Sequence, residues 1–360
     1  MTTTVDLDKT VQGAHGYNNS QLAAIRLWLY IILGLITAMV VVGGATRLTD
    51  SGLSITEWKP ILGVIPPLTA EDWQIAFDKY RLIPEYQLVN KGMSLAEFQF
   101  IFWWEWAHRF LGRVIGFVFF IPAVIFWALG WLPSGLKPRV VGLFILGGLQ
   151  GVVGWWMVAS GLVDRVDVSQ YRLAVHLTLA CFLFAAVLWV ALGLRDKFAI
   201  ASTPAMRWSA WVLLVLIFVQ IFAGGLVAGL DAGLAYNTWP QMDGAFVPTG
   251  LGAMSPIWLN IFENAKTVQF DHRMIAYGLW ALALIHAFWV SLKSVSGVVK
   301  IQAWLIFIVV TGQAIVGILT LLWAVPLDLG LYHQFGVLVV LAASVCYLRT
   351  LKGRSGFLGR

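Results

Sequence analysis

Long uncharged stretches alternate along this chain with short charged or polar ones, and that alternation sets the architecture. The uncharged windows cover residues 27–46, 114–136, 140–163, 173–194, 208–230, 274–292, 301–327 and 329–348. Each runs to about 19 residues or more, enough for a helix to cross about 30 Å of hydrocarbon. The pattern predicts an all-α polytopic membrane protein with eight transmembrane helices. With 59% hydrophobic and only 12% charged residues in a chain of 360, a soluble domain is excluded.

The net charge of +6 is distributed unevenly. Lys137 and Arg139 follow span two, Arg195, Lys197 and Arg207 follow span four, and Lys293 and Lys300 follow span six. Arg349, Lys352, Arg354 and Arg360 follow span eight, whereas the intervening loops carry Asp164, Asp167, Asp231, Asp243, Glu263, Asp271 and Asp328. The positive-inside rule then predicts cytoplasmic termini and outward-facing 48–102 and 231–267 loops. The basic balance reflects topology, and no nucleic-acid partner is expected. Residues 1–24 show neither a secretory h-region nor an Arg-rich transit pattern, which fits a bacterial inner-membrane protein. Cys181 and Cys346 both fall within spans, so no disulfide is expected in the outer loops. Those loops are rich in Trp, Pro and Gly (Trp58, Trp73, Trp239, Trp258) and are expected to form short amphipathic helices.

The chain also repeats itself. At an offset of 181, Gly43, Gly44, Asp50, Gly52, Leu53 and Trp58 align with Gly224, Gly225, Asp231, Gly233, Leu234 and Trp239. Farther on, His108-Arg109 pairs with His272-Arg273, Gln150 with Gln313, and His176 with His333, at offsets of 164, 163 and 157. Four spans per copy give both copies the same orientation. The expected arrangement is therefore two parallel four-helix-bundle repeats with pseudo-two-fold symmetry about the membrane normal. The chain divides into a cytoplasmic tail (1–26), an N-terminal half (27–194), a linker (195–207), a C-terminal half (208–348) and a second tail (349–360). Gly147, Gly151 and Gly154, and the glycines before each outer loop, are expected to allow close helix contacts.

Of the six histidines, His15 lies in the polar tail, and His286, whose repeat partner is Pro122, reads as structural. His108 and His272 fall where spans two and six enter from outside; His176 and His333 fall in the first turns of spans four and eight. Each half thus presents two imidazoles from two helices at similar depth near the outer face. Buried histidines bonded across helices would satisfy such a pattern once. Its recurrence in both halves points to ligands, and two facing imidazoles suit haem iron clamped between helices. Zinc needs more ligands than are present nearby, and a di-iron site needs more glutamates. Arg109, Arg113 and Arg273 are candidates to pair with haem propionates, or to snorkel toward headgroups.

The halves differ at one telling position. Glu105 precedes His108 by one helical turn, where the second half has Gln269. A carboxylate can move a proton or steady a developing charge, and an amide cannot titrate. Reaction is therefore expected in the N-terminal half, with Glu105 as the candidate catalytic residue, and electron storage or transfer in the C-terminal half. Alternatively, Glu105 only pairs with Arg109.

The strings RLTDSGLSITEWKPILGVIPPL (47–68), ExxHR (105–109) and AGLDAGLAYNTWPQMDGAFVP (228–248) resemble haem A synthase, a likeness that runs from Leu27 to Leu348. The resemblance implies oxidation of the C8 methyl of haem O to a formyl group by two successive hydroxylations and loss of water. It implies haem O between His108 and His176, and a resident haem b between His272 and His333. It also implies haem O synthase as the donor of substrate and a role in cytochrome oxidase biogenesis. Some relatives carry an outer-loop cysteine pair; this chain has none and is similar to the proteobacterial and mitochondrial branch. A farnesylated haem calls for a cleft opening laterally between helices. The redox partner, the oxygen source and a homo-oligomeric state are not legible. A dihaem b-type electron carrier linked to quinol is the rival reading, and a transporter a more distant one.

Overall fold

The computed structural model describes residues 18–194, 200 and 202–352, and every extended element among them is helical. In order these are α1 (Asn19–Leu48), α2 (Ala70–Tyr80), α3 (Pro84–Leu88), α4 (Leu95–Ala128), α5 (Lys137–Val158), α6 (Gln170–Gly193), α7 (Pro204–Gly229), α8 (Asn260–Glu263), α9 (Ala265–Lys293), α10 (Gly297–Leu322) and α11 (Leu327–Lys352). Eight of them, α1, α4–α7 and α9–α11, are long and apolar enough to cross a membrane. The protein is a multi-pass membrane protein. His15, Arg195, Lys197, Arg354 and Arg360 lie outside the described residues.

The largest departure from the sequence windows is α4, which begins at Leu95 rather than near 114. A capping box starts it there. The Ser94 backbone N–H donates to Glu97 Oε2 at 2.7 Å, and the Glu97 N–H donates back to Ser94 Oγ at 3.3 Å. Its first three turns then bury Phe98, Ile101 and Phe102 against Phe77 and Tyr80 of α2 and Tyr86 of α3. A window defined by absence of charge stops at Arg113, but the helix continues because its charges are matched by the loop folded over it. At 34 residues α4 is about 51 Å long, well beyond the hydrocarbon thickness. The loop expectation holds for Trp73 in α2 and in part for Trp258 in the short 3-10 turn Ile257–Leu259, whereas Trp58 and Trp239 lie in irregular chain.

Pro122 sits inside α4 and cannot donate to the Val118 carbonyl. That orphaned acceptor takes a hydrogen bond from Trp28 Nε1 of α1 at 2.9 Å, the kind of replacement partner a membrane helix needs. At the repeat-equivalent place, His286 meets Tyr347 Oη at 2.9 Å, a structural contact between α9 and α11.

Neighbour relations follow the same order in both halves. Helix α1 packs on α4, α4 on α5, α5 on α6 and α6 back on α1; α7, α9, α10 and α11 close a second ring in the same way. The rings meet through α6 with α7 and α1 with α11. The continuous apolar core occupies the helix ends away from the long loops, with Ile25 and Leu29 on α1, Ala191 on α6, Met206 on α7, Val290 on α9 and Leu348 on α11. Close approach across the junction requires glycine: a Cβ on Gly225 would meet Ala174 Cα at 2.6 Å, and one on Gly229 would meet Gln170 Cα at 2.5 Å. Gly147 and Gly151 depart from expectation, because open space adjoins both.

The loop after α1 and the loop after α7 share their local geometry. Asp50 and Asp231 both adopt the left-handed conformation, with φ of 47° and 48°. Arg47 bridges the two loops, reaching Asp231 at 2.7 Å, Asp50 at 3.1 Å and the Ala228 carbonyl at 3.1 Å.

Candidate functional site

His108, His176, His272 and His333 lie on α4, α6, α9 and α11, the four helices that descend from the long-loop end. Between 17 and 21 residues separate each from the far end of its helix, so all four sit at one depth near the long-loop end. Within each half the two histidines come from two helices of one ring, His108 and His176 from α4 and α6, His272 and His333 from α9 and α11.

Each imidazole rests against a glycine of a neighbouring helix. A Cβ on Gly43, Gly154, Gly224 or Gly317 would stand 3.2, 2.9, 3.1 or 2.6 Å from Cε1 of His108, His176, His272 or His333 respectively. Gly43 and Gly224 are repeat partners, as are Gly154 and Gly317, so the cradles repeat along with the rings. Three histidines are further held by glutamine. Gln150 Nε2 donates to the His176 carbonyl at 3.0 Å and lies 3.2 Å from Nδ1. Gln220 does the same for His272 (3.1 and 3.0 Å), and Gln313 for His333 (2.8 and 3.1 Å). Gln150 and Gln313 enter the sequence pattern only as markers of duplication; Gln220 went unnoticed, although a polar residue inside an uncharged span is itself a signal.

Glu105 is 2% exposed and faces the loop after α1. Ser54 Oγ donates to its Oε2 at 2.7 Å, the Ile55 N–H donates to the same oxygen at 2.8 Å, and Arg109 Nη2 meets Oε1 at 2.5 Å. Gln269 occupies the same place with reversed polarity, donating from Nε2 to the carbonyls of Ala232 and Ala235 at 2.8 Å. Glu105 therefore does pair with Arg109, and it also pins the loop.

The arginines have a role the sequence did not disclose. Arg109 donates to the carbonyls of Ile55 (2.7 Å) and Glu57 (2.9 Å); Arg273 donates to those of Tyr236 and Thr238, each at 2.9 Å. These carbonyls are repeat equivalents, so one arginine per half clamps its loop by the same two peptide groups. Arg113 adds bonds to the carbonyls of Pro60 and Lys59. Among the described residues, Arg113 Nη1, Arg273 Nε and Trp106 Nε1 remain buried without a hydrogen-bond partner.

No cluster of three or more His, Cys, Asp or Glu suited to a metal occurs among the described residues. Two imidazoles per half fit a metal that brings its own equatorial donors, as porphyrin iron does. The orphaned Arg113 and Arg273 N–H groups fit carboxylates at the porphyrin edge, and buried unpaired donors of this kind cost about 1–3 kcal/mol each if left alone. By donor set and by orphaned groups, the residues present fit haem in both halves.

A family model described as cytochrome oxidase assembly protein matches residues 26–345. The chain belongs to that family. Proteins named "Heme A synthase" are similar to it over nearly their whole length. The one from Azorhizobium caulinodans is 56% identical over 326 residues, 90% of this chain and 93% of the relative. Those from a Chelativorans species and Brucella ovis are 54% and 53% identical, each covering 93% of this chain and 92% and 94% of the relative.

The longer first loop holds one further titratable group that the sequence reading passed over. Glu85 on α3 is 5% exposed, and one carboxylate oxygen lacks a partner. Burial pushes its carboxyl up to about 8, with the negative charge of Glu105 adding to the rise.

Proposed function

We propose that the protein is a haem A synthase, with haem O held between His108 and His176 and a resident haem b between His272 and His333. The support that counts most is a difference in titratable chemistry between two similarly built sites, the carboxylate of Glu105 against the amide of Gln269. Membership of the family, and the names of its relatives, agree with that assignment and lend nothing to a pure electron carrier.

The two halves form parallel four-helix repeats, 27–194 and 208–348, joined by the 195–207 linker. Both termini lie in the cytoplasm of a bacterial cell, and the haem sites lie near the outer face of the inner membrane. Conversion of a methyl group to formyl takes two two-electron hydroxylations and loss of one water. Bound haem b supplies one-electron transfer to and from the substrate site. Glu105, one turn above His108, accepts protons released as the methyl is oxidised, and its Ser54 hydroxyl partner keeps it aimed. Arg113 and Arg273 orient the haems through propionates, while Arg109 keeps the loop closed over Glu105 and excludes water.

Room for a prenyl tail also favours the N-terminal half. Gly116 on α4 and Gly147 and Gly151 on α5 adjoin open space. The equivalent places on α9 and α10 carry Trp280, Val310 and Ala314, and Trp280 there donates to Thr311 Oγ1 at 3.1 Å and packs on Phe307. A lateral cleft between α4 and α5 admits the apolar tail, and haem O synthase supplies the substrate from the bilayer side.

The test is haem extraction with mass identification from cells that make haem O and no haem A, with and without this chain. Haem A, or its hydroxylated precursor, appears only with the chain. Unchanged haem O alongside a protein that purifies with two haems would replace the proposal with the electron-carrier reading.

A further inference from the structure

Three of the four histidines are gripped by a glutamine at both ring and backbone, and the fourth is not. Gln220 stands four residues before Gly224 on α7, and both face His272. At the same offset on α1, Met39 stands four residues before Gly43, which lies against His108. The Met39 side chain reaches α4 beside that histidine: its Cε lies 3.3 Å from where a Cβ on Gly112 would be, one turn along α4 from His108. A thioether donates no hydrogen bond, so it can hold neither the His108 carbonyl nor its ring.

We propose that Met39 makes His108 the releasable iron ligand of the four, and that Gln220 is the positioning residue that denies this freedom to His272. The inference rests on the assignment of the histidine pairs as haem sites. Side chains whose ring plane is fixed by an outer hydrogen bond ligate more tightly and in one orientation. With iron on one ring nitrogen, the other would carry a proton. The Gln150 amide, whose Oε1 has no partner as it stands, would turn to accept it and keep His176 on the substrate iron. His108, with no such acceptor, would swing away at little cost. The position that opens is on the α4 side, the helix that also carries Glu105. At the other haem both rings remain locked by Gln220 and Gln313, as suits a centre that only passes electrons.

The distinction is measurable without turnover. Carbon monoxide binds ferrous haem only where an axial ligand leaves, so CO difference spectra of the reduced, purified holoprotein count releasable ligands, with total haem measured alongside. The native chain takes up CO at one haem per protein. Met39→Gln lowers the CO-reactive fraction about tenfold, the scale of one added hydrogen bond, with total haem unchanged. Met39→Leu, which also lacks a donor, keeps the native response, and Gln220→Met adds a second CO-reactive haem. Unchanged CO uptake in both Met39→Gln and Gln220→Met, at full haem content, would overturn the inference while leaving the haem sites standing. A native chain that purifies without haem would overturn the site assignment itself, and this inference with it.

Discussion

Gly317 touches the imidazole of His333: a Cβ added to the glycine would stand 2.6 Å from Cε1, closer than two carbons can lie. The clash is with a functional side chain, while the helix itself gains from alanine by up to about 1 kcal/mol. Gly317→Ala should therefore leave thermal stability of the apoprotein equal or higher and yet strip the C-terminal haem. Gly43→Ala, with 3.2 Å available at His108, should do so only in part. Haem-to-protein ratios beside melting curves check both.

Replacing Glu105 by Gln leaves a donor facing a donor. Oriented one way the new amide opposes the Ile55 N–H, and oriented the other way it opposes Arg109. The unmatched pair costs about 1–3 kcal/mol locally. Haem content should persist while conversion of haem O falls about 100-fold or more, the scale of a lost general acid or base. A variant that keeps native conversion would assign Glu105 to loop pinning alone.

Arg113 and Arg109 should separate cleanly. Arg113 has a buried, unpartnered N–H, whereas the Nη groups of Arg109 are bound to two loop carbonyls and Glu105. Arg113→Ala is expected to weaken haem O retention about tenfold, on the scale of one charge-assisted hydrogen bond, and to free the chain only at Lys59 and Pro60 while Arg109 still holds 55–57. Arg109→Ala should open the 55–57 loop to proteolysis. Dialysis against a haem acceptor and limited digestion read the two effects.

Glu85 makes stability fall with rising pH. Its folded pKa of about 8 lies above the ordinary carboxylate value of 4.5, so the folded chain keeps a proton that the unfolded chain gives up. The associated stability is complete below about pH 4.5 and is lost as pH climbs through 8, at a limiting slope of about 1.4 kcal/mol per pH unit. Glu85→Gln should flatten the melting-temperature profile between pH 5 and 8. An equal slope in both proteins would remove Glu85 as its cause.

Much of this molecule is legible in the chain because a membrane leaves few ways to place charge and backbone. Eight uncharged windows gave eight helices, and the recurrence of His108/His176 as His272/His333 marked the candidate sites. What the windows missed lies where polar groups are satisfied by distant chain. The first ten residues of α4 depend on aromatic packing with α2 and α3, and Arg109 and Arg273 depend on loop carbonyls some 35 to 54 residues away. Gly154 cradles His176 where a helix contact was expected, because one glycine looks like another until its neighbour is known. Glu85 and Met39 escaped for a simpler reason: one lies in a loop segment with no repeat partner, and the other is the apolar replacement of a polar residue.

The central claim is that two like-built histidine pairs hold different haems. It is tested most directly by extracting and weighing the haem that co-purifies with His108→Ala/His176→Ala and with His272→Ala/His333→Ala, from cells supplying both haem b and haem O. The first double variant should retain haem b and lose haem O; the second should lose haem b and retain haem O. Loss of the same haem from both variants, or of neither, would contradict the account.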